Sequence, residues 1–143
     1  MSLMVSPFKL NELGILGMNK RNIGFIGRYN QRKNYRLADN KLKTKSAAIA
    51  RAIPVPELIG IVDYQFQIRT LGTLLQDRDA FVIKPSQGSG GKGILVIVGR
   101  EGDKFIKSSG ALIDQGEVHR HSSNILAGLY SLGGRNDSAM IEA

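Results

Sequence analysis

Lys84 closes a short apolar run, Phe81–Lys84. Pro85-Ser86-Gln87-Gly88-Ser89-Gly90-Gly91-Lys92-Gly93 follows, and a second apolar run, Ile94–Val98, resumes the pattern. An ammonium fixed at a strand end beside a glycine-rich loop suits phosphate oxygens, because glycine backbone can approach an anion closely and adopt positive φ. A P-loop would need glycine at position 86 and Ser or Thr after its lysine. Ser86 and Gly93 stand there instead, so that pattern fails. Gly88, Gly90 and Gly93 do match G-x-G-x-x-G, but a dinucleotide site needs a helix next. Ile94-Leu95-Val96-Ile97-Val98 is strand material. Strand, glycine loop, strand is the layout of a flap folded over phosphates, as in protein kinases, although those carry their lysine on the strand after the loop. The plainer alternative is a hairpin tip beside an exposed lysine. Gly88, Gly90, Gly91 and Gly93 together with Ser86, Ser89 and Lys92 are more than a turn needs.

The elements that must carry this loop can be read around it. Residues 8–17 predict a short helix closed by Gly17, and Asn19–Arg36, with aromatic and basic residues in no clean period, reads as irregular. Asp39 is placed to cap a helix over the following residues, stopped before Pro54, with Leu42, Ala47 or Ile49, and Ala50 or Ile53 as its buried stripe. Strands are expected at Glu57–Val62, Phe81–Lys84 and Gly93–Val98, with a helix around Ile68–Gln76. A hairpin turn at Gly99–Asp103 returns through Lys104–Lys107. Gly116–Leu132 has helical spacing in its second half, with Leu126, Leu129 and Leu132 as core, and Gly133-Gly134 ends it. Ala139-Met140-Ile141 opens a further strand. Mixed elements with an adjacent strand pair favour an α+β fold: a small antiparallel or mixed sheet with flanking helices.

The bulk properties set the class. At 143 residues, 42 % hydrophobic and 22 % charged, the chain has the size and composition of a globular domain. No run of about 18 apolar residues is present, so no membrane helix is expected. There is no cysteine, which excludes disulfides and thiolate metal sites. The cytoplasm is the default location. Net charge is +8 and unevenly spread: Lys20, Arg21, Arg28, Arg32, Lys33, Arg36, Lys41, Lys43 and Lys45 face a single acid, Asp39. Such a block attracts polyanions or forms a solvated basic face. Phe25, Tyr29 and Tyr35 within it could stack bases or anchor the segment to a core. His119 and His121 are two apart on an expected helix, about 200° around its axis, which is poor geometry for one ion and suits the surface.

Lys84-Pro85-Ser86 and Gly88-Ser89-Gly90-Gly91-Lys92-Gly93 resemble the nucleotide-binding hairpin of the ATP-grasp superfamily. Asn40-Lys41-Leu42-Lys43-Thr44-Lys45 is similar to the D-K-L-x-[ST]-K helix start of D-alanine–D-alanine ligases and glutamate ligases, and Pro54-Val55-Pro56 to the P-x-P break after it. Gly17–Asn22 (GMNKRN) and Tyr29–Arg32 (YN-x-R) resemble motifs of the α-L-glutamate-ligase-like, sugar-transfer-associated branch. The resemblance covers the chain from about residue 12 onward. It divides the chain into a basic irregular or helical segment, 1–38, and a nucleotide-binding lobe, 39–143.

The resemblance implies ATP as the bound nucleotide. Lys41 matches the first phosphate lysine and Lys84 the second, while Ser86, Gly88, Ser89, Gly90, Gly91, Lys92 and Gly93 match the flap. Glu142 resembles the hinge acid at the adenine amino group. Asn40 replaces the usual aspartate, with Asp39 one step earlier, so Lys43 or Lys45 could take the place of Lys41. Arg21 and Arg32 are candidates for substrate or phosphate contacts, or surface residues. The implied chemistry activates a carboxylate as an acylphosphate for attack by an amine. Family members complete it with a second lobe whose acidic residues hold magnesium. Glu101, Asp103, Asp114, Glu117 and Asp137 form no such pattern. The expectation is therefore a lobe cut at its hinge, inactive alone, binding nucleotide weakly, with magnesium only in the complete enzyme. A second copy or another chain could complete it. The rival reading is a nucleic-acid-binding domain using Lys20–Lys45.

Overall fold

The computed structural model describes residues 5–131 and 133–143 and resolves into two compact units, Met1–Ala38 and Asp39–Ala143. In the first unit, α1 (Pro7–Glu12) starts where Ser6 Oγ accepts from the Phe8 amide at 3.3 Å and proline occupies the first turn, where its missing N–H is no loss. The chain turns at Gly14. Gly17, expected to close this helix, instead precedes α2 (Met18–Arg21). A π-helical turn (Asn22–Ile26) and α3 (Gly27–Tyr29) continue from α2. A 3-10 turn (Arg32–Asn34) and α4 (Tyr35–Ala38) follow. The segment expected to be irregular is thus mostly helical. None of these helical pieces buries a residue, so no apolar period was imposed on the sequence for a reader to detect. Phe25 and Tyr29 are exposed, contrary to an anchoring role, and the Arg28 guanidinium lies over the Tyr29 ring.

The second unit opens with α5 (Lys41–Ile49). Its cap is Asn40, whose Oδ1 accepts from the Lys43 amide at 3.0 Å, and not Asp39. The expected buried stripe is met only in part: Leu42 and Ala47 are half-buried and Ala50 is exposed. Ile49 and Ile53 are exposed, and the buried side chain of this helix is Lys45. Then come β1 (Leu58–Val62), a 3-10 turn (Gln65–Thr70), α6 (Leu71–Leu74), β2 (Phe81–Pro85), β3 (Leu95–Glu101), β4 (Lys104–Lys107), β5 (Leu112–Ile113), α7 (Gln115–Leu126) and β6 (Ala139–Glu142). The six strands form one sheet in the order β1-β6-β2-β3-β4-β5. Every neighbouring pair is antiparallel, which selects the antiparallel form of the expected α+β sheet.

Period-two alternation decides which face each β2 side chain meets. Phe81, Ile83 and Pro85 are buried on one face, where α7 packs through Val118, Ile125 and Leu126 and the α6 region through Ile68, Leu71 and Leu75. Phe105 meets Phe81 edge to face at 5.2 Å between centroids. Val82 and Lys84 point the other way. Arg100 donates to the carbonyls of Arg78 and Leu75 and stacks over Phe105, which explains why β3 runs through Gly99 and Arg100 and leaves only Gly102-Asp103 for the turn. β5, two residues long, is too short to leave a pattern. α7 is capped by Asp114, which accepts from the Glu117 amide at 2.8 Å. It ends at Leu126 rather than Leu132, because Gly128 lies under the Arg135 carbonyl and the chain must fold back there. Leu126 is core as expected, Leu129 is 67 % exposed, and Leu132 lies outside the described residues. No helix among the described residues is long and apolar enough to cross a membrane.

Candidate functional site

β2 and β6 place the first ion pair. Lys84 pairs across the sheet with Met140, and Val82 with Glu142. Residues two apart share a face, so Lys84 and Glu142 are diagonal neighbours on the side away from α7, within reach of a long side chain. Lys84 Nζ contacts Glu142 Oε2, and Lys45 Nζ from α5 holds Oε1 at 2.7 Å. Lys45 also donates to the Pro56 carbonyl. Glu142 is 3 % exposed. Burial works against its charge, and hydrogen bonds from the two lysines outweigh it, holding its pKa below the ordinary carboxylate value.

α5 also delivers Lys41. Its backbone N–H donates to the Ser86 carbonyl at 2.8 Å, and its Nζ donates to the carbonyl of Gly88 in the glycine loop. Burial lowers the Lys41 pKa, Asp137 acts in the opposite direction, and the charge of Lys84 lowers it further. The three candidate lysines of α5 are placed differently. Lys41 reaches the loop, Lys45 is spent on Glu142, and Lys43 is exposed.

The loop between β2 and β3 is held at both ends. Asp137, just ahead of β6, accepts from Ser86 Oγ at 2.6 Å, Ser131 Oγ at 2.7 Å, the Ser138 amide at 2.7 Å and the Gln87 amide at 3.0 Å. Burial opposes its charge, and these donors prevail and lower its pKa. Ser86 is buried and its hydroxyl is given to this carboxylate. Gly88 forms a bridge with Ser131. At the far end Gly93 has φ +75, and a Cβ there would come within 2.4 Å of the Tyr130 ring. The position therefore requires glycine twice over. The Gly93 carbonyl lies 3.0 Å from His121 Nε2. Between these ends Ser89, Gly90, Gly91 and Lys92 are exposed.

Lys41, Lys84, Ser86, the loop through Gly93 and Glu142 are thus neighbours in the fold. Arg21 and Arg32 belong to the other unit. The roles of Asp137, Ser131, Tyr130 and His121 at the loop were not legible in the sequence, because a lone acid before a strand and a histidine on a helix carry no spacing signal. His119 and His121 are half-buried rather than surface residues, and His119 Nε2 is buried without a hydrogen-bond partner among the described residues. Burial lowers the His121 pKa, with the Gly93 carbonyl opposing.

Chemically, Lys41, Lys84 and Lys45 oppose Asp137 and Glu142, so cations exceed anions around a pliable loop, a setting that fits the phosphates of ATP. No group of three or more His, Cys, Asp or Glu able to hold a metal ion occurs among the described residues. They do not fit a complete magnesium site, and no step is assigned through one.

No curated protein and no solved structure matches the chain. A sequence model of the sugar-transfer associated ATP-grasp family does match it, over residues 20–143. With that match spanning most of the sequence, and a lysine-bearing strand leading into a glycine loop and out into another strand, the chain belongs to the sugar-transfer associated ATP-grasp family, a group of ATP-binding, ligase-like domains.

Proposed function

We propose that Asp39–Ala143 is the ATP-phosphate-binding portion of a carboxylate–amine ligase. The observation that carries this reading is Lys41 Nζ, from the start of α5, on the Gly88 carbonyl of the loop Ser86–Gly93, with the Lys84 ammonium of β2 held by Glu142 and its charge acting on Lys41. In this reading the two ammonium groups meet phosphate oxygens while the loop closes over them and excludes water. Glu142, at the end of β6, orients the Lys84 ammonium in this reading. The reaction transfers the terminal phosphoryl group of ATP to a substrate carboxylate, giving an acylphosphate and ADP. An amine then attacks the acyl carbon, forming the amide and releasing phosphate. Lys41 and Lys84 act in the first step by neutralising charge on the transferring group. Ligands for magnesium come, in this reading, from outside the residues described.

The test is the affinity of a fluorescent ATP analogue for the chain and its variants. Lys84→Ala is expected to abolish measurable binding, and Arg28→Ala to leave it within about twofold, since a solvent-screened surface charge contributes little. Equal losses in both variants would contradict the proposal. A loss confined to Arg28→Ala, with oligonucleotide binding that falls steeply with salt, would favour the basic segment as a nucleic-acid site.

A further inference from the structure

The loop that the proposed function assigns to phosphates is tied down unevenly. Its first limb is held at several points. The Ser86 amide donates to the Ser138 carbonyl at 2.9 Å, the Ser86 carbonyl accepts from the Lys41 amide at 2.8 Å, and the Ser86 hydroxyl donates to Asp137 at 2.6 Å. The Gln87 amide donates to both Asp137 oxygens, at 3.1 and 3.0 Å, and Gly88 bridges to Ser131, itself a donor to Asp137. Its last residue, Gly93, is pressed against Tyr130 and lies 3.0 Å from His121 Nε2. The middle is different in kind. Gly90 and Gly91 have φ +62 and +72, and a Cβ on either would meet no heavy atom within 4 Å. The space beside the two tip glycines is therefore open, whereas both roots are fixed.

We infer that Asp137 is a positioning residue that moors the root of this loop, so that closure is confined to Ser89–Lys92 and the loop stays in register with Lys41 and Lys84. The physical reason is the density of charge-assisted bonds on one buried carboxylate. Such bonds are shorter and about twice as strong as neutral ones, and losing the carboxylate would strand the Ser86 and Ser131 hydroxyls and the Gln87 amide. Asp137 does not touch the nucleotide in this account. It acts through Ser86, Gln87 and Ser131. The consequence for binding rests on the proposed function, but the mooring itself does not, and the two can be tested apart.

The experiment is amide hydrogen exchange followed by NMR on the whole chain without nucleotide, then analogue binding on the same samples. In the wild type, the Gln87 amide is expected to be protected while the Gly90 and Gly91 amides exchange freely. Asp137→Ala is expected to speed exchange at Gln87 and Ser138 by about tenfold or more, the change a lost charged hydrogen bond carries. Exchange at Ile97 and Ile106 in β3 and β4 stays unchanged. Asp137→Asn, which keeps one acceptor oxygen and the shape, should fall between and serves if the alanine variant does not fold. Analogue affinity should fall by about tenfold in Asp137→Ala and partly recover in Asp137→Asn. An unprotected Gln87 in the wild type, or unchanged Gln87 exchange in both variants, would overturn the mooring. Acceleration spread evenly over the sheet in Asp137→Asn would reduce Asp137 to a fold residue and also overturn it. If the wild type binds no analogue at all, the proposed function fails, while the exchange pattern still decides the mooring.

Discussion

Replacing Glu142 by glutamine removes the charge that Lys45 and Lys84 share and keeps the shape of the side chain. The two lysines respond differently. Lys84 is 24 % exposed and can turn its ammonium toward water, whereas Lys45 is 6 % exposed and cannot. The loss is thus dominated by one stranded cation. Breaking a buried ion pair from one side costs about 3–5 kcal/mol. Lys45 retains the Pro56 carbonyl, and the glutamine oxygen can still accept one bond, which places the value near the lower end, about 3 kcal/mol. For a domain of about 100 residues, where 1 kcal/mol moves the melting temperature by about 4 °C, that is about 12 °C. The assay is urea unfolding, with a thermal melt as a second readout. A second substitution makes the test sharper. Lys45→Met in the Glu142→Gln background removes the stranded charge and should restore more than half of the loss, because an apolar replacement of similar volume avoids the desolvation penalty. A single-variant loss below about 1 kcal/mol, or a double variant as unstable as the sum of the two singles, would refute the reasoning.

Glu142 and Asp137 have folded pKa values held below their ordinary 4.5 and 3.8. Their stabilisation is complete above those values and is lost as pH falls through the depressed folded ones, so the wild-type urea midpoint should drop below about pH 4.5 with a shallower drop in Glu142→Gln, and a flat wild-type profile would contradict it. Gly93→Ala meets both a positive φ and the Tyr130 ring, whereas Gly90→Ala meets only the φ term; the first should lose about 2–3 kcal/mol and the second about 1, as read by unfolding. Asn40→Ala removes the α5 cap and should cost about 1 kcal/mol, while Asp39→Ala should cost a few tenths at most, by the same measurement.

Much of the fold was legible because the strands carry their own signal. Phe81–Lys84 and Ile94–Val98 are apolar and rich in β-branched residues on either side of the glycine loop, β1 declares itself in the same way, and β4 follows from the hairpin turn before it. The rejection of a helix after Gly93, on which the reading of the loop depends, rested on that run, and β3 stands there. What remained illegible has physical causes. α5 was assigned an apolar stripe because buried faces are ordinarily apolar. Here the inward face carries Lys45, and the carboxylate that permits this lies far along the chain at Glu142. The cap was misplaced by one residue because Asp39 and Asn40 are equally good caps, and only the backbone position of Asn40 distinguishes them. Leucines continue beyond the end of α7, so the sequence predicts a longer helix than the structure has. In the site, residue type and spacing marked Lys84 and the loop, and the resemblance to the ATP-grasp helix start pointed to Lys41, with Lys43 and Lys45 as alternatives. The groups that hold the loop, Asp137, Ser131, Tyr130 and His121, act through long-range contacts that leave no local pattern.

The central claim is that phosphates of ATP lie between Lys41, Lys84 and the loop Ser86–Gly93. It is tested most directly by titrating the isotope-labelled chain with a non-hydrolysable ATP analogue and mapping the amide shifts. The account predicts changes concentrated at Ser89–Lys92, with smaller ones at Lys41 and Lys84, and none beyond noise at Lys20–Arg36. Shifts confined to Lys20–Arg36, with the loop silent at saturation, would contradict it.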